Sequence, residues 1–174
     1  MYMEGKIISV NSSKEKGVSK KNIGAGVLRK NFGLLGDAHS GTNREVSLLG
    51  WERVQSWLKK RQCKIKNLKL KIKPGDFAEN ITTEGVDWSK IKIGDRIKVS
   101  PKSLPDDWQA GDVQSPKSII LEVTEIGKEC HLGCAIRKLV GDCLMPKEGI
   151  FAKVIKGGKI KVGDKIFVSI CEEQ

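Results

Sequence analysis

Two stretches of this 174-residue chain read almost alike, and their shared pattern is what most constrains the fold. Lys90-Ile-Lys-Ile-Gly-Asp-Arg-Ile-Lys-Val99 returns as Lys159-Ile-Lys-Val-Gly-Asp-Lys-Ile-Phe-Val168. Each alternates apolar and polar residues, which in an extended backbone sends Ile and Val to one face. Each is broken by a Gly-Asp pair suited to a turn. The reading is strand–turn–strand, twice. Gly-Asp also stands at 36–37, 75–76, 111–112 and 141–142, and strands interrupted this often point to a barrel or a strongly curved sheet. Two such units do not by themselves establish a duplicated domain.

Further strands are expected at 5–10, 26–28, 45–49, 118–126 and 150–155. One main helix is expected over 48–62, where Leu48, Trp51, Val54 and Leu58 recur at three- and four-residue steps between charges. In that helix Trp51 and Trp57 read as core packing. A short second helix is expected over 135–140, and 100–116, with its prolines and aspartates, reads as a long loop. The length suits a single domain, 1–174, with a core large enough to need no disulfide staples. No apolar run reaches the roughly 18–20 residues of a membrane helix. The first ten residues carry early charges and read as a strand, so the expected location is cytoplasmic.

The chain carries 32 basic and 21 acidic side chains, a net +11, which favours anionic partners such as nucleic acid, a phosphorylated cofactor or an acidic protein. Much of that charge lies in interspersed lysines and reads as a solvated surface. A basic β-barrel binding nucleic acid is one alternative. One Tyr and four Phe make a sparse supply of base-stacking rings, which argues against it.

The five cysteines, Cys63, Cys130, Cys134, Cys143 and Cys171, are odd in number and not laid out as a disulfide framework. Three of them crowd into Lys128-Glu-Cys-His-Leu-Gly-Cys-Ala-Ile-Arg137 and Val140-Gly-Asp-Cys143. Cys130 stands among basic residues, beside His131, at the start of a possible helix. Cationic neighbours and helix-terminal N–H groups favour the thiolate. A thiolate is both a nucleophile and a soft metal ligand, so sulfur transfer and ligation of a soft metal both follow. Zinc held by Cys130, His131, Cys134 and Cys143 is a rival, although the three-residue spacing departs from the usual knuckle. An inert, buried cysteine is the plainest reading of all.

Two more segments stand out. Gly36-Asp-Ala-His-Ser-Gly41 with Arg44 holds the other histidine, and Pro74-Gly-Asp-Phe-Ala-Glu-Asn-Ile-Thr-Thr-Glu-Gly85 sets Glu79, Asn80, Thr82 and Thr83 in one polar run. Read locally, Asn and Thr there would cap turns. Taken in order with the Cys-His-x-x-Cys and Val-Gly-Asp-Cys segments, they resemble the MOSC family, named for the C-terminal domain of molybdenum cofactor sulfurases. The likeness spans nearly the whole chain and is most specific at Glu-Asn-Ile-Thr-Thr-Glu-Gly. It looks like the stand-alone prokaryotic type.

The resemblance implies a mostly β, barrel-like domain with one main helix and a few short ones. It implies binding of the molybdenum–pterin cofactor (molybdopterin), a sulfur-carrier role, or both. Cys130 would be the reactive residue with His131 beside it, carrying a persulfide or ligating molybdenum. Gly36, Asp37, His39, Arg44, Glu79 and Asn80 match family motif positions and would form the pocket wall. Arg137 and the surrounding lysines suit an anionic cofactor. Cys134 and Cys143 are an extra pair that departs from the oxidoreductase relatives, and they would resolve a persulfide on Cys130 or simply pack. The implied partners are a cysteine desulfurase or other sulfur donor and a molybdoenzyme acceptor. Pyridoxal phosphate is not expected in this chain alone, and the activity would be sulfur-transferase-like or cofactor delivery.

Overall fold

The computed structural model describes residues 2–64, 71–101, 118–129, 137 and 141–169, with side chains in the first helix described as far as 61. Strand β1 (Tyr2–Ser12) is followed by short β2 (Lys21–Asn22), β3 (Ala25–Arg29) and β4 (Gly33–Leu34). Then come β5 (Val46–Gly50), helix α1 (Trp51–Lys64), β6 (Ile81–Glu84), a 3-10 turn at Trp88–Lys90, β7 (Arg96–Ser100) and β8 (Ile119–Ile126). A one-turn helix α2 (Met145–Glu148) leads into β9 (Ile150–Lys156), β10 (Gly158–Lys161) and β11 (Lys165–Ser169). The main sheet runs β11-β7-β8-β9-β5-β6-β1, and β11 also pairs with β1. That pairing closes a seven-stranded barrel, antiparallel throughout except for β5 beside β6. Strands β10, β3 and β4 form a separate small sheet.

The alternation read from the repeats fills the barrel. Ile97, Val99, Ile166 and Val168 are buried in one core with Ile7, Leu48, Leu121 and Val154. The second halves of the two repeats pair with each other, Ile97 opposite Val168 and Val99 opposite Ile166, as a local two-fold. Neither repeat is a hairpin. In the second copy the arms part, β10 to the small sheet and β11 to the barrel. In the first copy the leading arm is not a strand: Trp88–Lys90 is a 3-10 turn, Trp88 is buried, and only β7 joins the barrel.

What the copies share is the turn. Gly94 and Gly163 have φ of 94° and 91°, which a third turn position can require and which glycine adopts without penalty. The buried Asp95 and Asp164 carboxylates accept from the N–H of Lys92 and Lys161 at 2.7 and 2.9 Å. Lys73-Pro74-Gly75-Asp76 builds the same turn, with Lys73 N–H on Asp76 at 2.9 Å.

The main helix begins later than its periodicity indicates. Leu48 belongs to β5, opposite Ile81 and Ile150 with its side chain in the barrel core, and α1 starts at Trp51. Strand β5 is buried on both sides, so its residues lack the alternation that would mark them as a strand. Leu49 faces outward into a second core with Val54, Phe77, Cys143, Met145 and Phe151, against which Trp51, Trp57 and Leu58 pack. Trp57 meets Phe77 edge-on at 5.3 Å, so both tryptophans of α1 pack as core. The strands expected at 5–10, 26–28, 118–126 and 150–155 fall within two or three residues of β1, β3, β8 and β9. Strands β2, β4 and β6 are not among those expected: Ile81–Glu84, read as part of a polar run between strands, is a barrel strand between β5 and β1. The expected helix 135–140 and loop 100–116 lie almost wholly outside the described residues. Among the described residues, no helix is long and apolar enough to cross a membrane.

Candidate functional site

The loop from β4 to β5 delivers the first motif. Asp37 repeats the turn geometry above, with Gly36 at φ 83° and Asp37 N–H on Leu34 O at 3.1 Å. Its carboxylate does not fold back on that turn. It accepts from Lys20 Nζ at 2.6 and 2.7 Å, from Ser13 N–H at 3.1 Å and from His39 N–H at 3.0 Å. Both side chains of the Lys20–Asp37 pair are buried. His39 Nδ1 lies 3.4 Å from Lys20 Nζ and 3.5 Å from Asp37, with part of the ring exposed.

Burial works to raise the Asp37 carboxyl, but hydrogen bonds from His39 and Lys20 outweigh it and hold it well below the ordinary carboxylate range. For Lys20 burial is the largest influence and lowers it, against the opposing pull of Asp37 and Glu79, while Lys128 lowers it further. Bidentate contact with a carboxylate that donors surround keeps the pair ionised.

The second motif comes from the opposite side. The segment before β6 passes through Ala78 at φ 65°, a left-handed conformation that L-residues rarely adopt, and turns Glu79 into the interior. Glu79 Oε1 accepts from Gly75 N–H and from Thr82 Oγ1, both at 2.7 Å. Glu79 Oε2 is buried with no hydrogen-bond partner. Burial dominates and raises the Glu79 carboxyl, with Gly75 and Thr82 pulling it back. Glu79 and Lys20 are close enough for each other's charge to matter, and Lys20 N–H also bonds Gly75 O at 2.8 Å. Asn80 points elsewhere. Its Oδ1 accepts from Ser47 N–H and Oγ, both at 3.1 Å, and its Nδ2 donates to Asn11 O at 3.3 Å, tying β5 to β1.

Arg44 closes the far end of the 36–44 loop. It grips Glu125 bidentately at 2.7 and 2.8 Å, which raises the guanidinium and lowers the carboxylate. Arg44 and Lys128 both lie over the Phe151 ring, at 5.3 and 5.8 Å. Past β8, Lys128 acts on Lys20, and the exposed Glu129 acts on Arg44.

Asp37 and His39 therefore meet one buried ammonium, with Glu79 in electrostatic reach of it. Arg44 sits beside them, already paired. Arg137 is exposed. Cys143 is buried in the second core, its N–H on Asp142 at 2.9 Å. Cys130, His131 and Cys134 lie outside the described residues. Among the described residues no group of three or more His, Cys, Asp or Glu is placed to hold a metal ion. Sequence reading missed Lys20, and nothing marked it: it is one lysine in Ser19-Lys-Lys-Asn22, indistinguishable from its solvated neighbours.

The fold is shared with solved bacterial proteins. The YUAD protein of Bacillus subtilis superposes with TM-score 0.71 at 17% identity, over 99% of this chain and 99% of that one. YiiM from Escherichia coli gives 0.63 at 17% identity over 99% and 72%, and YiiM from Geobacillus stearothermophilus 0.64 at 15% over 95% and 75%. No curated protein matches the sequence. The MOSC domain description matches residues 35–167, a span that takes in the Gly36–Arg44 loop, the Glu79–Thr83 run, five of the barrel's seven strands whole and the first part of β11. With most of the chain so matched, the protein belongs to the MOSC domain family.

Proposed function

We propose that this protein carries sulfur, or holds the anionic molybdenum–pterin cofactor, at Cys130, serving the molybdenum-cofactor and sulfur metabolism to which MOSC domains are generally linked. The observation that carries the reading is the position of the chain as it runs into that cysteine. Lys128 and Glu129 immediately precede Cys130, and they lie within electrostatic reach of Lys20 and Arg44 respectively. Lys128 and Arg44, with partly exposed His39 and the Lys20–Asp37 pair behind them, offer the charge and donors an anionic ligand needs.

The described donor set fits the anionic part of such a cofactor. Partly exposed His39 and Arg44 would meet a terminal phosphate, and Lys128 would add charge. When bound, the cofactor supplies the redox-active metal. The chain's own contribution would be the thiol of Cys130, which follows Lys128 and Glu129 in the sequence. Attack by the Cys130 thiolate on the sulfane sulfur of a donor's cysteine persulfide forms a new S–S bond and expels the donor thiolate. Cys130 is left as a persulfide, with no net oxidation.

The test is mass spectrometry of the intact protein after incubation with a cysteine desulfurase and cysteine. One added sulfur, removed by reductant and absent from Cys130→Ser, is expected. A wild-type protein that gains no sulfur and binds no pterin cofactor would end the proposal.

A further inference from the structure

Beyond that reading, we propose that Glu79 is a positioning residue for Lys20: a neutral, proton-bearing carboxyl that leaves Asp37 as the counter-charge to the buried ammonium. The argument starts from how the two carboxyls are held. Both oxygens of Asp37 receive donors, as a buried carboxylate requires. Glu79 is equally buried, yet only Oε1 is held in hydrogen bonds and Oε2 has no hydrogen-bond partner. The Phe77 and Glu79 backbone N–H groups act on the carboxyl less than burial does. An ionised carboxylate in that setting would leave one oxygen unsolvated. A protonated one leaves only a neutral hydroxyl at Oε2, far less costly to bury than an unsolvated charge, while its carbonyl oxygen Oε1 is occupied.

The surroundings fix which oxygen is the acceptor. Ser9 Oγ donates to Asn11 Oδ1 at 2.6 Å, Asn11 Nδ2 donates to Thr82 Oγ1 at 3.1 Å, and Thr82 Oγ1 donates to Glu79 Oε1 at 2.7 Å. Ser9, Asn11, Thr82 and Glu79 are all buried, so every proton in this chain points one way and fixes which oxygen accepts. The left-handed backbone at Ala78 is a further sign that Glu79 is aimed on purpose.

The charged groups around it come from three elements. Lys20 precedes β2, Asp37 and His39 stand behind it on the 36–44 loop, and Lys128 follows β8. Asp76, nearest along the chain, is engaged with the Lys73 N–H. One carboxyl, Asp37, grips the ammonium and a second, Glu79, acts on it through its charge. Their environments push them apart: Asp37 toward the ion, Glu79 toward the acid. With Glu79 neutral, Lys20 and Asp37 cancel, and Lys128 and His39 leave the site open to an anion. Ionising Glu79 would set a second negative charge beside Lys20 and weaken any anion's hold.

The full-length wild-type chain tests this with no ligand present. With glutamate carboxyl carbons and lysine side chains isotopically labelled and assigned through the backbone, NMR follows each across pH. Glu79 should keep its proton after the surface glutamates have lost theirs, and the Lys20 signals should shift when it finally ionises. In Glu79→Gln, which keeps the acceptor oxygen, that Lys20 step should vanish. In Lys20→Met the Glu79 step should move to higher pH, which a merely structural carboxyl would not do. Titration of Glu79 together with the surface glutamates would overturn the proposal, as would a Lys20 signal indifferent to Glu79. Neither outcome bears on sulfur loading at Cys130, so the two proposals fail separately.

Discussion

The loop from Gly36 to Arg44 is anchored by two ion pairs of opposite character. At one end, Lys20 and Asp37 are 1% and 0% exposed; at the other, Arg44 and Glu125 are 34% and 38% exposed. Both have short, bidentate contacts. The difference lies in the solvent each has lost. Water already satisfies an exposed pair, so its formation gains little. A buried pair has given up hydration on both ions, and each partner then depends on the other. One end of the loop is therefore a fastening that cannot be halved, and the other a latch that can open.

The sharpest way to break that comparison is to remove one buried partner. Asp37→Ala should destabilise the fold by about 3–5 kcal/mol, because it strands the Lys20 ammonium in the interior. Replacing both partners, as Lys20→Met with Asp37→Leu, should recover most of that loss in urea unfolding. A double replacement no more stable than the single one would mean the pair is not the dominant energy there.

A smaller effect is spread over pH, and its two parts have opposite signs. Asp37 is held below the ordinary carboxylate range, so its stabilisation is present above about pH 4 and drains away as the pH falls toward its folded value. Glu79 is raised, so the unfolded chain releases a proton near pH 4.3, roughly, while the folded chain still holds one. Stability therefore falls as pH rises from there to the folded Glu79 value, and levels off beyond it. Urea midpoints measured across this range should show an acid limb for Glu79→Gln like that of wild type, without the decline on the neutral side. A decline that survives the substitution would assign it to another group.

How far this was legible in the sequence is clearest in the Gly-Asp pairs. The dipeptide marked a turn correctly at 75–76, 94–95 and 163–164, because glycine's positive φ and the aspartate's reach to the third residue back are local properties. Gly36-Asp37 makes the same backbone turn, yet its carboxylate serves Lys20, a contact made across the fold. The dipeptide is the same, and only tertiary structure distinguishes its uses. Barrel strands such as β7 and β11 were legible for the same local reason, while β5 merged with the helix because both its faces are covered. Of the site, Asp37, His39 and Glu79 were named through the family motif, and Lys20 carried no signal in a chain of 32 basic residues. The contrast predicts that Asp95→Ala, which removes the carboxylate bonded to the Lys92 N–H, costs about 1–2 kcal/mol. That is well under the loss at Asp37. Equal losses from the two would show that burial of the ammonium adds nothing.

The smallest expected effect concerns the latch. A double-mutant cycle of Arg44→Ala and Glu125→Ala should give a coupling energy of roughly 0.2–1 kcal/mol, falling with added salt, as exposed pairs do. The Lys20–Asp37 coupling should barely respond to the same salt, since ions in solution do not reach it. If Arg44 is to meet an incoming anion, a weak hold on Glu125 is an advantage: the anion need only outbid a pair that water has already discounted. Glu125→Ala should then tighten binding of inorganic phosphate to the site without moving the unfolding midpoint by more than the cycle allows. A salt-insensitive coupling of several kcal/mol would instead make Arg44–Glu125 a structural fastening like its buried counterpart, and would remove Arg44 from the groups able to receive a ligand.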